Sequence, residues 1–483
     1  MSLVVLKFGG TSVGDAQSMR QAARITQESA SQWDHVVVVT SAMGKAIGAR
    51  DNIKVTDALL IAARTAANGD SDTFHRIRRE LTDKHQAAID GTISNAQERM
   101  RIQEEIEQLL SGFEILCASV RVLGEVTPRA LDAISGLGER MAARILAGAL
   151  RSQGVPAEPV DATELIITND HYQSANPLME ATREKTRARL LPLIEGGIVP
   201  VVTGFIAATA SGVPTTLGRG GSDYSGSIIG AVLDADEVHN YTDVDGVLTA
   251  DPRIVPEART IHTLTGQEMS ELAFFGAQVL HPMTIAPLLE QKIPLRVKNT
   301  FNPGHPGTLI LQEPPRRETG LHGGGTVKAV TMIDKVSMVT VAGRGMKGVT
   351  GIAGRMFTAV ARTNTSVLMI SQASAEQSIC FVIPHAASAR VALELKREFS
   401  PELSTSEIDH IHTIEDAAIV TAVGMGIAFT PGVSGKVCSA VGKLGINIIA
   451  IAQGSSECGI SLVVSGPDSR ESVRAVHALT ASS

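Results

Sequence analysis

Aromatic side chains make up only 3% of the sequence, with one tryptophan and three tyrosines, so stacking platforms for single-stranded nucleic acid are not expected. Positive charge is not in excess either: the formal net charge is −7, which leaves no basic footprint for DNA or RNA. Cysteine is scarce. Cys117, Cys380, Cys438 and Cys458 are scattered without a C-x-x-C pair, which argues for buried thiols in a reducing cytosol rather than disulfides or zinc. No apolar run approaches the ~18 residues of a membrane span. The run behind Met1 stops at Lys7, too short for a signal peptide, and the expected location is cytoplasmic. The Walker A pattern is missing, so a nucleotide phosphate would not be held by a P-loop. H-E-x-x-H and Cys/His clusters of metal-ligand spacing are missing as well, and His281, before Pro282, reads as structural.

What the sequence does have is length and alternation. At 483 residues and 50.7 kDa the chain exceeds what one core supports, and two to four domains are expected. With 43% hydrophobic residues and a mean hydropathy of +0.13, it reads as globular and soluble. Up to about Leu311, short Val/Ile-rich runs (VVVVT at Val36, GIVPVVTGF at Gly197, PLRVKNT at Pro294) alternate with longer helical patterns. That alternation predicts an α/β domain over residues 1–312, with a mainly parallel sheet covered by helices on both faces. The charged stretch from Thr73 to Leu123 reads as wholly helical. EPPRRETGLHGGG, residues 313–325, has the composition of a linker.

Behind it lies a duplication. The segment beginning at Gly345 returns at Gly426: Gly351 matches Gly432, Gln372 matches Gln453 and Glu376 matches Glu457, all at one offset of 81 positions. Each copy reads as strand, glycine loop, helix, strand pair and helix, a small βαββα unit used twice, over residues 326–412 and 413–483. The second copy lacks a closing strand, and VKAVTMI from Val327 could fill that gap. Interleaved units are expected.

Two stretches have the makings of anion sites. In MSLVVLKFGGTSVGD, Leu3 to Leu6 predict a buried strand. Gly9 and Gly10 supply a turn of positive φ, and Thr11 and Ser12 can cap a helix spanning Gln17 to Thr26. Free N–H groups at that helix start would favour an anion, with Lys7 as its mobile cation; an ordinary βα turn with a snorkelling lysine is the plainer alternative. TTLGRGGSDYSG, from Thr215, repeats the strand–glycine–helix pattern. It adds Arg219, able to hold a carboxylate bidentately, and enters its helix through Ser222 and Asp223; here the plainer alternative is a capped glycine turn. NYTDVDGVLTADPR, from Asn240, carries three aspartates but not the EF-hand spacing. GRGMKG, from Gly343, fits G-x-G-x-x-G but lacks the acidic ribose partner, and reads as a tight loop.

Taken in order, KFGGTSV, VVVVTSAM, SGLGERMAA, TTLGRGGSDYS, YTDVDGVLTADPR, ELAFFGAQVLHP and KNTFNPGHPGTLI resemble the aspartate kinase family from Leu3 to Val464. The doubled tail resembles that family's paired ACT regulatory units. The resemblance implies the amino-acid kinase fold followed by two βαββαβ ACT-like units. It also implies transfer of the ATP γ-phosphate to the side-chain carboxylate of L-aspartate, with Mg²⁺ carried by ATP rather than by a protein metal site. That reaction is the first step toward lysine, threonine and methionine. Lys7 would bridge the phosphates, with Gly9, Gly10, Thr11 and Ser12 beside it, and Asp223 would be the active-site aspartate. Arg219 would clamp the substrate α-carboxylate, Glu139 its ammonium, and Ser41 and Thr56 would supply hydroxyl contacts. Thr242, Asp243, Leu248, Arg253, Gln278 and Val279 fall where the family lines its nucleotide pocket.

Three departures stand out: Leu248 where relatives carry tyrosine, Gln278 where they carry lysine, and a longer insertion between Ser41 and Thr56. ISQASAE and IAQGSSE resemble the threonine-responsive members, with Gln372 and Gln453 as effector ligands; apolar Leu368 stands where lysine-inhibited relatives carry an acid. A homo-oligomer through the ACT units is implied, with no nucleic-acid or membrane partner. Two readings compete: a kinase of the same fold acting on glutamate, N-acetylglutamate or UMP, and a catalytically silent amino-acid sensor.

Overall fold

The computed structural model describes residues 2–46, 53–276, 280, 282–313, 327–344, 350–372, 378–453 and 458–480. The chain divides into two compact units. The first takes residues 1–247, 260–266 and 279–314, the second 248–259, 267–278 and 315–483.

Among the described residues the first unit holds eleven strands: β1 (Leu3–Phe8), β2 (His35–Thr40), β3 (Ala157–Val160), β4 (Ile167–Thr168), β5 (Val199–Thr203), β6 (Ile206–Thr209), β7 (Pro214–Thr216), β8 (Glu237–Thr242), β9 (Thr263–Thr265), β10 (Leu295–Asn299) and β11 (Thr308–Leu311). Eight form one sheet in the order β3-β5-β2-β1-β8-β10-β11-β9. Every pairing in it is parallel except β10 with β11. Central strands of a parallel sheet are covered on both faces, which is why LVVLKF is buried from end to end and reads as one continuous apolar run. Lys7 is the exception in that run. It sits level with Val39 of β2 and Asn240 of β8, close to the carboxyl ends of the three strands.

Eight helices of this unit carry the argument: α1 (Ala16–Ala30), α2 (Val55–Ala67), α3 (Ser71–Thr92), α4 (Ala96–Leu123), α5 (Pro128–Ser135), α6 (Leu137–Ser152), α7 (Met179–Glu195) and α8 (Gly221–Val232). The charged stretch is helical as expected, but as two helices. Asn95 caps α4 by accepting from Glu98 N–H at 3.0 Å. α1 corrects two sequence expectations. Its cap is Asp15, which accepts from Ser18 N–H at 2.7 Å, because Thr11–Val13 close a separate 3₁₀ turn first. Gly10 has φ −59°, and neither Gly9 nor Gly10 adopts positive φ. The glycine there supplies space: a Cβ on Gly10 would lie 3.2 Å from the Ala42 carbonyl oxygen.

The second unit is built on a six-stranded sheet of β12 (Ala329–Ala342), β13 (Met369–Gln372), β14 (Ser378–Pro384), β15 (His410–Val423), β16 (Ala450–Ala452) and β17 (Gly459–Ser465), ordered β13-β14-β12-β15-β17-β16. β12 and β15 are each 14 residues long and serve both repeats. Ala329–Ile333 pairs with Ile419–Val423, whereas Val336–Ala342 pairs with β14 and with the first half of β15. Ala329–Ile333, just behind Val327, thus lies beside the half of β15 that pairs with β17. Register shifts at Ile333–Met338 mark the hand-over, with Lys335 at φ +54°.

Residues 248–259, expected within the α/β domain of residues 1–312, pack inside this second unit. Ala250, Ile254 and Val255 share a core with Val330, Val437, Val473 and Val476. Thr249 accepts from Val330 N–H through its carbonyl at 2.8 Å, and its Oγ1 stands 2.9 Å from His477 Nε2. The Arg474 guanidinium donates to the Ile254 carbonyl at 3.0 Å.

Candidate active site

The carboxyl ends of parallel strands are where an open α/β sheet exposes turns and binds ligands, and here the turns after β1, β2, β5 and β8 are knotted together. Ser41 N–H donates to the Phe8 carbonyl at 3.0 Å, Gly9 N–H to the Tyr241 carbonyl at 3.0 Å, and Gly204 N–H to the Thr40 carbonyl at 2.8 Å. Ser12 spends its hydroxyl on the same wall, donating to the Tyr241 carbonyl at 3.2 Å and accepting from Thr300 at 2.6 Å.

Lys7 projects from this floor and is 6% exposed. Its ammonium pairs with the Asp223 carboxylate in the first turn of α8. The two come together because α8 crosses β1 at a glycine, Gly226, where a Cβ would lie 3.1 Å from Lys7 Cβ. Gly220, at φ +72°, turns the chain from β7 into α8. Arg219 precedes that turn, is exposed, and makes no ion pair among the described residues. Phe205, which no sequence argument singled out, stands at φ +66° with its ring against Gly221, where a Cβ would lie 2.7 Å from Cδ2. A bulky residue in left-handed backbone is strain that the surrounding structure must hold.

Glu139 sits in the first turn of α6, buried. One oxygen accepts from Ala42 N–H at 3.2 Å; the other, Oε2, has no partner among the described residues. Burial pushes its carboxyl up to about 8, with the Ala42 amide opposing. A buried carboxyl with one oxygen unpartnered is driven to ionise when a cation docks against it, which makes it a receptor for one.

The turn after β2 is anchored by backbone. Gly44 N–H donates to the Gly10 carbonyl at 2.8 Å, and a Cβ on Gly44 would lie 2.5 Å from the Gly10 carbonyl carbon. Val55 N–H donates to the Met43 carbonyl at 3.0 Å, which brings Thr56, in the first turn of α2, beside the Ser41 turn. Lys84 reaches from α3 to the Gly44 carbonyl at 2.7 Å and the Ile53 carbonyl at 3.3 Å, and desolvation lowers its ammonium to about 8.

Of the other expected site residues, Thr242 donates to Asp243 at 3.2 Å at the end of β8. Leu248 and Arg253 lie in the second unit, where Arg253 is exposed and forks onto Asp251 at 2.7 to 3.1 Å. Gln278 and Val279 lie outside the described residues, as do Glu376 and Glu457. Gln372 and Gln453 are exposed at the ends of β13 and β16. Ser371 Oγ donates to the Ile451 carbonyl at 3.3 Å, which brings the two equivalent strands together, and Gln453 accepts from Ser434 at 3.1 Å.

Among the described residues no three His, Cys, Asp or Glu side chains gather to hold a metal, and no helix is long and apolar enough to cross a membrane. A parallel sheet with a lysine–aspartate pair at its carboxyl edge and a glycine-flanked arginine beside it defines a class, and comparison with known proteins agrees. The amino acid kinase family matches residues 2–299, and the ACT domain matches 339–399 and 420–479. The chain is 35% identical to bifunctional aspartokinase/homoserine dehydrogenase 1 of Zea mays, over 98% of its own length and 50% of that protein's. It thus spans about half the length of such bifunctional relatives. It is 32% identical to chloroplastic aspartokinase 1 of Arabidopsis thaliana, over 98% of this chain and 79% of that one. Its fold matches a crystal structure of E. coli aspartokinase III in complex with aspartate and ADP with a TM-score of 0.79, at 27% identity and 99% coverage of both chains. The chain belongs to the aspartokinases of the amino acid kinase family.

Proposed function

We propose that the chain transfers the γ-phosphate of ATP to the side-chain carboxylate of L-aspartate. The observation that carries this is the pairing of buried Lys7 with Asp223, beside an uncommitted Arg219 and a half-satisfied Glu139. The acceptor is ionised at pH 7, its reference pKa being near 3.9, so no general base is required. The obstacle is an anion approaching a polyanion, and preorganised charge lowers it. Lys7 stabilises charge on the phosphoryl group in flight, and Asp223 orients Lys7. Gly10 and Thr11 face the phosphates, while Gly9 and Ser12 hold the wall behind them. Arg219 forks onto the α-carboxylate and Glu139 takes the ammonium, with Ser41 and Thr56 supplying hydroxyls. Thr242 and Asp243 belong to the nucleotide side, to which the resemblance also assigns Leu248, Arg253, Gln278 and Val279.

Mg²⁺ is held by one or two carboxylates plus substrate phosphates in such sites. The acidic group paired with Lys7 fits that pattern, with Asp223 as the protein's share. The ion would neutralise phosphate charge.

Cys117, Cys380, Cys438 and Cys458 are scattered without a C-x-x-C pair, which supports a reducing compartment such as the cytosol. The effector is threonine, read by Gln372 and Gln453, and the ACT units join a homo-oligomer. The test of the activity is ADP release with ATP, Mg²⁺ and each acceptor in turn. Turnover with L-aspartate but not with glutamate, N-acetylglutamate or UMP is expected. Silence with all four would leave a sensor instead.

A further inference from the structure

Asp132, on α5, is 2% exposed and takes part in no step of the proposed reaction. Its carboxylate collects four hydrogen bonds. Gln173 N–H donates to both oxygens, at 3.1 Å and 2.9 Å. Thr216 N–H donates to Oδ2 at 3.1 Å and Thr216 Oγ1 to Oδ1 at 2.8 Å. None of these donors carries a charge. A carboxylate accepts at both oxygens, whereas an asparagine would turn an NH₂ toward N–H donors; convergent neutral donors therefore call for an acid here.

One donor, Thr216, ends β7 three residues before Arg219; the other, Gln173, lies in the turn between β4 and α7 that packs against it. Gln173 is held at φ +69°, left-handed backbone that a glutamine seldom adopts. Its carbonyl lies 3.0 Å from where a Cβ on Gly218 would stand, and Ala175 N–H donates to the Thr216 carbonyl at 2.9 Å. The Gln173 turn, Thr216 and Gly218 thus form one block, and Arg219 is the next residue. On the other side, α5 runs through Gly136 into α6, whose first turn carries Glu139. We propose that Asp132 is a positioning residue for the amino-acid acceptor, bracing the Arg219 loop against the helix pair that carries Glu139 and so setting the gap between the two groups that grip the substrate. This rests on the reading of Arg219 and Glu139 given above.

The test is steady-state kinetics with separate titrations of aspartate and ATP. Asp132→Asn should raise the aspartate KM about tenfold or more and leave the ATP KM within about twofold, since a small misplacement of a binding group is costly. Thr216→Val, which removes one donor, should move the aspartate KM the same way by less, and Thr216→Ser should restore it. An unchanged aspartate KM in folded Asp132→Asn, or an equal rise in both KM values, overturns the proposal. If Asp132→Asn does not fold, the Thr216 pair decides alone: no difference between valine and serine overturns it. Arg219→Ala separates the two levels. If it leaves the aspartate KM unchanged, the grip itself is wrong and the brace falls with it. If it raises that KM while Asp132→Asn does not, only the brace is wrong.

Discussion

Lys7 and Glu139 are both ionisable and buried, yet their surroundings give them opposite tasks. Lys7 pairs with the Asp223 carboxylate, and in the proposed reaction Lys7→Ala should cost at least ~10²–10³ in kcat, the usual loss for one such group, without unfolding the protein. Near-normal turnover at saturating ATP would remove Lys7 from the phosphates. Glu139 faces the reverse, since desolvation lifts its carboxyl from the ordinary 4.5 to about 8. The folded state therefore holds a proton that the unfolded chain has lost. Stability from this group is complete below about 4.5 and is given up as pH rises toward 8, by about 1.4 kcal/mol per unit within that window. Lys84, lowered to about 8, acts only above it and with the opposite sign. Glu139→Gln should thus melt higher than the wild type at pH 8 and much like it at pH 5, while losing aspartate affinity. A melting difference that does not change with pH would mean the carboxyl is ionised throughout. Both residues were legible in the sequence through KFGG and SGLGER. Asp132, Lys84 and Phe205 were not, because each works by where the fold puts it: a helix acid, a helix lysine and a lone phenylalanine carry no local pattern.

At the scale of elements, the site depends on two backbones touching without side chains between them. The Gly44 turn lies on Gly10 so closely that a Cβ would meet the Gly10 carbonyl carbon at 2.5 Å and Thr11 N at 2.9 Å. Neither atom can yield without moving the 3₁₀ turn beside Lys7. Gly44→Ala should therefore cut turnover by about 10²-fold, as misplacement of reacting groups does, and leave most of the stability of a sheet that the turn does not help to build. Loss of secondary structure instead of turnover would show that the turn supports the fold. The strands themselves were readable as Val/Ile runs, and β2, β5 and β10 lie on the three runs singled out. The start of α1 was not readable. Asp15 and Thr11 are both good caps by type, and only the intervening 3₁₀ turn decides between them.

At the scale of the molecule, the two units share chain, since residues 248–259 leave the first and join the second. Threonine should inhibit aspartate phosphorylation and lysine alone should not, with Gln372→Ala or Gln453→Ala weakening inhibition while kcat stays unchanged. Inhibition by lysine alone, or an unaltered threonine response in both variants, would reject those ligands. The doubling was legible as an offset of 81 residues, but the membership of residues 248–259 was not. ADPR follows a strand as any βα loop does, whereas its partners Val330, Arg474 and His477 lie far along the chain. A chain cut after residue 312 should accordingly bare Ala250, Ile254 and Val255 and bind apolar dyes, where a self-sufficient kinase domain would not. The shared strands β12 and β15 have a kinetic counterpart. Each repeat's sheet is completed by a strand continuous with the other's, so neither repeat can open alone. Amides of Val336–Ala342 and Ala329–Ile333 should then exchange with solvent at one common rate, as a single cooperative unit of unfolding rather than two.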